Sequence, residues 1–264
     1  MITDNEQQII NDLLKCNDLI CMYEFGSTVY KSNDDKSDID FILVIDTVSI
    51  FKSILSNDMV FYVIKSHNCC DKTDYNRYEP QFQFEYGNLS FNIYTEYAWE
   101  KKCKDLSIDT LECAFLDEKF IYKENKKYLD KDNIDKIQLR RSISAVVSNS
   151  WVKGKKKFID GYDRLGYKSI FHAMRILSYG IQIYQYGRIK NYEEPTFEYY
   201  NLIKDRYEKY KSCNYNGLEL YNLIIKGSNA DEINLKSVMN EKRTIFKKYT
   251  ENEWRALKLN YENN

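Results

Sequence analysis

Residues 38–46, Asp-Ile-Asp-Phe-Ile-Leu-Val-Ile-Asp, constrain the fold more than any other segment of this 264-residue chain. They begin with alternation and become continuously apolar, the pattern of a strand covered on both faces in the middle of a sheet. Such a strand needs partners on both sides. Residues 19–25, Leu-Ile-Cys-Met-Tyr-Glu-Phe, read as a second short strand that runs into a Gly26-Ser27 turn and a helix. Ahead of it, residues 4–15 place Ile9, Ile10, Leu13 and Leu14 at helical spacing behind polar starters. A helix over 49–55, a strand over 59–64 and a hairpin turning at Gly87-Asn88 follow, with Phe82, Phe84 and Tyr86 on one face of its first strand and Phe91 and Ile93 alternating on its second.

From Tyr97 onward the strand signals thin out, and residues 134–190 and 195–262 carry mostly helical periodicity, without repeats or low-complexity linkers. The expected class is therefore α+β. A mixed sheet with flanking helices occupies residues 1–125 and a helical domain residues 126–264, with the boundary in the charged stretch 123–131.

Composition narrows the function classes. A 43% hydrophobic fraction suffices for a real core, and no apolar run approaches the roughly 20 residues that span a bilayer, so no membrane partner is expected. The start, MITDNEQQII, has acids where a signal peptide needs a basic region, and a cytoplasmic location is the expectation. Lys+Arg at 39 against Asp+Glu at 40 leaves a formal charge of -1, so any nucleic-acid site must be local. The seven Cys are odd in number and form no CxxC pair; they read as small apolar residues. His67-Asn68-Cys69-Cys70-Asp71 has metal-capable atoms, but no second Cys/His cluster completes a tetrahedral site. With two His and no Gly-x-Ser-x-Gly or P-loop pattern, serine hydrolases and P-loop kinases have no support.

The informative constellation is Phe25-Gly26-Ser27, ten intervening residues, then Asp38-Ile39-Asp40 at the head of the apolar strand. Carboxylates at i and i+2 on a strand point to the same face, which lets both bind one divalent cation. A Gly-Ser turn opening a helix lets backbone N–H groups approach a phosphate, and the hydroxyl adds a donor. Together they can hold a metal–nucleotide complex. The alternative for an isolated Asp-x-Asp is a solvated strand edge.

A second signal is Lys168, His172, Arg175 and Tyr179, whose spacings of four, three and four make one helical stripe beside the apolar Phe171, Met174, Leu177 and Ile181. Residues 151–190 hold nine Lys/Arg against two Asp/Glu, and a triphosphate needs cations on the side away from its metal. An ordinary solvated helix face is the alternative. Lys153-Gly154-Lys155-Lys156-Lys157 reads as a solvated loop, with contact to a nucleic-acid backbone as the second reading.

At the Gly-Ser turn and the Asp-x-Asp strand the chain resembles the DNA polymerase β nucleotidyltransferase superfamily. It is more closely similar to the predicted nucleotidyltransferases associated with RNA repair, whose strand opens Ser-Asp-x-Asp as Ser37-Asp38-Ile39-Asp40 does. The likeness extends to Phe91-Asn92-Ile93-Tyr94-Thr95-Glu96-Tyr97, to Thr110-Leu111-Glu112, and to Gly166-Tyr167-Lys168 through His172, Arg175 and Gly187-Arg188-Ile189, covering residues 20–190. The resemblance implies Mg²⁺ or Mn²⁺ on Asp38 and Asp40, phosphates on Gly26 and Ser27, and closure on an NTP by Lys168, His172 and Arg175. The implied reaction transfers a nucleoside monophosphate to an acceptor hydroxyl, with RNA the expected acceptor, and releases pyrophosphate.

One departure matters. The superfamily's third carboxylate falls, by this resemblance, at Asn92, whose neutral oxygen is a weaker metal ligand and cannot take the acceptor's proton. Three readings stand side by side: the third acid lies elsewhere in register, Glu85 across the hairpin replaces it, or the protein binds nucleotide or RNA as a sensor or scaffold without efficient transfer. A protein hydroxyl as acceptor, as in a nucleotidylating toxin or antitoxin, is a further alternative.

Overall fold

A computed structural model of the chain describes residues 2–33, 37–46, 60–62 and 82–251. The expected helix over 49–55, most of the expected strand over 59–64, the His67–Asp71 cluster and the last thirteen residues lie outside the described residues. Contacts divide the chain into two compact units, Met1–Asp130 and Lys131–Asn264.

The first unit opens with α1 (Asp4–Leu14), capped by Thr3, whose hydroxyl accepts from the Glu6 N–H while the Glu6 carboxylate accepts from the Thr3 N–H. Strands β1 (Leu19–Phe25), β2 (Ile39–Ile45), β3 (Val60–Tyr62), β4 (Phe82–Tyr86), β5 (Leu89–Thr95) and β6 (Ile121–Glu124) form one sheet in the order β3-β4-β5-β2-β1-β6. The β2–β5 pair is parallel and the others antiparallel. The fold is α+β, and β2 lies mid-sheet.

The apolar run of β2 has the reason the sequence suggested: Phe41 through Ile45 are all buried, alternate residues facing different layers. Phe41, Leu43 and Ile45 join Met22, Phe84, Phe91 and Ile93 in a core with Ile10 and Leu13 of α1. Phe84 stacks on Phe91 at 4.3 Å and Phe91 on Phe41 at 5.2 Å. Helices α3 (Glu96–Lys104) and α4 (Ile108–Ala114) cover the other face, where Trp99 packs on Tyr23 and Tyr94.

Strand β6 is a correction to the expectation that strands end near Tyr97. It pairs antiparallel with β1 at the sheet edge, and its Lys123 ammonium donates to the Leu14 and Cys16 carbonyls at the end of α1. Its four half-buried residues, Ile-Tyr-Lys-Glu, give too short a period for sequence to register.

The second unit is helical: α5 (Lys136–Ile159), α6 (Asp163–Tyr186), α7 (Asn201–Tyr210), α8 (Gly217–Lys226) and α9 (Leu235–Tyr249), with a π-helical turn (Thr196–Tyr200) running into α7. The long pair α5 and α6 packs through glycine notches. A Cβ on Gly166 would lie 2.7 Å from the Phe158 ring, and one on Gly154 would lie 2.7 Å from Ile170. The Lys153–Lys157 run is therefore helix and not loop. Its glycine, a break in sequence, is the notch that lets α6 approach.

Candidate nucleotide-binding site

The geometry around Asp40 follows from sheet register. Asp40 pairs with Phe25 of β1 on one side and Ser90 of β5 on the other. Phe25 ends β1, so the next residue, Gly26, falls beside the carboxylate. Gly26 has φ 84° and ψ -151°, a conformation essentially confined to glycine. A Cβ there would lie 2.6 Å from Asp40 Oδ2 and 3.2 Å from Asp40 Cγ. The carboxylate thus rests against the glycine backbone.

Ser27 opens the one-turn helix α2 (Ser27–Tyr30), in which the Gly26 carbonyl accepts from the Val29 and Tyr30 N–H groups at 3.1 and 3.2 Å. The first N–H groups of any helix have no partner within it, so this turn presents donors next to Asp40. Asp38 is exposed and immediately precedes β2. Ile39, the first residue of β2, packs on the core beneath α1, so alternation puts Asp40 on the opposite side. The Ile39 N–H donates to the Asn88 carbonyl at 2.7 Å, holding Asp38 beside the hairpin turn.

Asn92 pairs with Ile42 and so shares a face with Asp40, one strand over and two residues along. That offset corresponds to about 8 Å between Cα atoms. Glu85 pairs with Ser90, which pairs with Asp40, so it shares the face two strands away, about 10 Å across the ladder. Glu85 is exposed and Asn92 half-buried. Among the described residues no group of three or more His, Cys, Asp and Glu side chains is arranged to hold a metal ion. Mg²⁺ commonly takes one or two protein carboxylates and fills its remaining positions with water and substrate phosphates, and two adjacent acids suit that use.

Three buried acids brace this region, and only one of them had a place in the sequence pattern. The Tyr30 hydroxyl of α2 donates to Glu112 Oε2, tying the helix after Gly26 to α4; Leu111-Glu112 stood in the resemblance without a role. Glu6 Oε1 accepts from the Asn88 N–H at 2.7 Å, and its backbone hydrogen bonds with Asn88 and Thr3 hold its carboxyl below the usual range. Glu24 accepts from the Tyr122 hydroxyl at 3.2 Å, and burial raises its carboxyl against the opposing pull of Tyr122, Lys31 and Lys119. Each pairing spans about 80 to 100 residues of sequence, so no local pattern could announce it.

On α6, Lys168 and His172 are half-buried while Arg175 and Tyr179 are buried. Arg175 Nη2 lies 3.0 Å from His172 Nδ1, and the guanidinium sits 5.5 Å from the Tyr179 ring. Burial, then the charges of Arg175 and Lys153, lower the imidazole to about 3. A guanidinium can only donate, so Nδ1 is the acceptor and the proton of the neutral ring is on Nε2. The solvated-face alternative therefore does not hold for Arg175. The Tyr179 hydroxyl donates inward to the Tyr192 carbonyl at 2.8 Å, so Tyr179 is a core residue.

No family model matches the chain, and no curated protein matches it. Among solved structures it is similar to a spectinomycin adenyltransferase from Enterococcus faecialis, determined with ATP and spectinomycin: 16% identity over 91% of this chain and 96% of that one, TM-score 0.35. It is similar also to a nucleotidyltransferase-like protein from Exiguobacterium sibiricum: 12% identity over 92% of this chain and 76% of that one, TM-score 0.31. At these values the functional reading rests on the chain's own residues.

Proposed function

We propose that the chain is a metal-dependent nucleotidyltransferase that moves a nucleoside monophosphate from an NTP to an acceptor hydroxyl, with RNA as the acceptor. The observation that carries the reading is the contact between Gly26 and Asp40: a glycine turn meant for close approach lies against an acid that can bind a metal. Asp38 and Asp40 would hold Mg²⁺ or Mn²⁺, with the Asn92 side-chain oxygen as a neutral neighbour. When bound, the ion supplies charge neutralisation at the phosphate oxygens. Gly26 and Ser27 would seat phosphate oxygens on backbone N–H groups. The acceptor hydroxyl would attack the α-phosphorus in line and give its proton to solvent or to Glu85, as the α–β bridging bond breaks and pyrophosphate leaves.

A second reading, a nucleotide or RNA binder with weak transfer, draws on the position of Asn92. Where a third carboxylate would take the acceptor's proton, the near position carries an amide, and Glu85 lies a strand further. Incubation with each radiolabelled NTP, Mg²⁺ or Mn²⁺ and total RNA tests both readings, with Asp38→Ala/Asp40→Ala as control. Label on RNA supports transfer to RNA, and label on polypeptide moves the acceptor to protein. NTP binding without transfer favours the second reading. Absence of both binding and label overturns the proposal.

A further inference from the structure

Six of the ten large apolar side chains exposed among the described residues fall in one region of the helical unit, which is clustering and not scatter. Ile159 ends α5, Tyr162 sits in the turn that follows, and Leu165 is in the first turn of α6; they are 55, 57 and 51% exposed. Tyr215 and Leu218 flank the start of α8, which packs so closely on the end of α5 that a Cβ on Gly217 would lie 2.0 Å from the Phe158 carbonyl oxygen. Val152, 68% exposed, stands two turns back on the outer side of α5, opposite the buried Gly154 and Phe158.

Lysines of α5 flank this apolar tip. Lys153, Lys155 and Lys156 are exposed, Lys157 is half-buried with its ammonium 4.6 Å from the Tyr162 ring, and none of the four forms an ion pair among the described residues. Helical spacing puts Lys155 and Lys156 on either side of the line from Val152 to Ile159. The acids nearby in sequence are Asp160, Asp163 and, beside Leu218, Glu219.

An apolar centre rimmed by cations suits an anionic surface with a hydrocarbon layer beneath it better than it suits a nucleic acid. Tyr162 and Tyr215 carry rings that could stack on a base, but the other four, Val152, Ile159, Leu165 and Leu218, do not; at a bilayer surface the aliphatic four would enter the acyl boundary, the tyrosines would sit at headgroup level and the lysine stems would reach headgroup phosphates. We propose that this tip docks peripherally on anionic phospholipid bilayers. No helix of the described residues is long and apolar enough to cross a membrane, so the association is interfacial, a mode that the expectation of no membrane partner, drawn from the lack of a spanning run, did not weigh.

Co-sedimentation of the full chain with vesicles of equal parts phosphatidylcholine and phosphatidylglycerol, against phosphatidylcholine alone, tests it. Binding to the anionic vesicles, weakened by salt and absent from the neutral ones, is expected. Lys155→Ala/Lys156→Ala should lower partitioning roughly 30-fold. Ile159→Asp/Leu165→Asp should abolish it, and because all four side chains are exposed, circular dichroism should be unchanged in both variants. Equal binding to the two vesicle types, no binding to either, or undiminished binding by both variants overturns the proposal. So does binding of single-stranded RNA that the lysine variant loses and the Ile159/Leu165 variant keeps, if no vesicle binding accompanies it.

Discussion

The Cα of Gly26 and the carboxylate of Asp40 are in contact, so that a single added methyl would stand 2.6 Å from Asp40 Oδ2. Phe25 and Asp40 are register partners, and the turn after Phe25 therefore begins beside the acid. Gly26→Ala meets two penalties, a φ of 84° and this clash. Together they should cost about 2–4 kcal/mol in urea denaturation. Adding Asp40→Ala should recover part of that loss, because the 2.6 Å approach to Oδ2 disappears while the 3.2 Å approach to the residue-40 Cβ and the backbone strain remain. Strictly additive losses would mean the two residues do not touch.

The imidazole of His172 should stay neutral at every pH at which the chain is folded. Its pKa is lowered to about 3, so the unfolded chain, with an ordinary histidine, binds the proton more readily. The contribution to stability is complete above about pH 6.5 and is lost as pH falls from there toward 3. The chain has two histidines, so imidazole NMR signals are simple to assign with a His172→Gln variant. One signal should remain at its neutral position, protonated on Nε2, through pH 5; titration of both near pH 6.5 would contradict the Arg175 pairing.

Glu6 should matter for the hairpin that carries Asn92, although it lies in the first helix. Its carboxylate accepts from Asn88, from the Thr3 N–H at 2.7 Å and from the Thr3 hydroxyl at 2.9 Å. Glu6→Ala leaves the Asn88 donor without its acceptor and should cost roughly 3 kcal/mol. Because the folded-state pKa is depressed, the contribution is present above the unfolded value near 4.3 and is lost as pH falls through the lower folded value. The native and Glu6→Ala proteins should accordingly converge in stability in acid. A constant difference down to low pH would show that the anion is not what matters.

The most readable parts of the sequence were those whose period is local. The run 38–46 announced a central strand because both of its faces are buried, and Gly87-Asn88 announced the β4–β5 turn because φ at Gly87 is 59°. Strand β6 was not legible: half-buried at an edge, it owes its existence to pairing with Met22 and Tyr23 a hundred residues earlier. Lys153–Lys157 reads as loop for a different reason, since local helix propensity penalises Gly154 while the close approach of Ile170 requires it. At the site, sequence brought Gly26, Asp38 and Asp40 together through spacing, but the buried acids Glu6, Glu24 and Glu112 bind partners that only the tertiary fold supplies.

If Asp38 and Asp40 join a nucleotide to the chain through a divalent ion, calorimetric titration with ATP will register the ion. The native protein should bind ATP in Mg²⁺ and lose that binding in EDTA. In Asp38→Asn/Asp40→Asn the dependence on Mg²⁺ should vanish while thermal stability is unchanged or raised, since two neighbouring carboxylates no longer repel. Equal ATP affinity with and without Mg²⁺ in the native protein would contradict the claim.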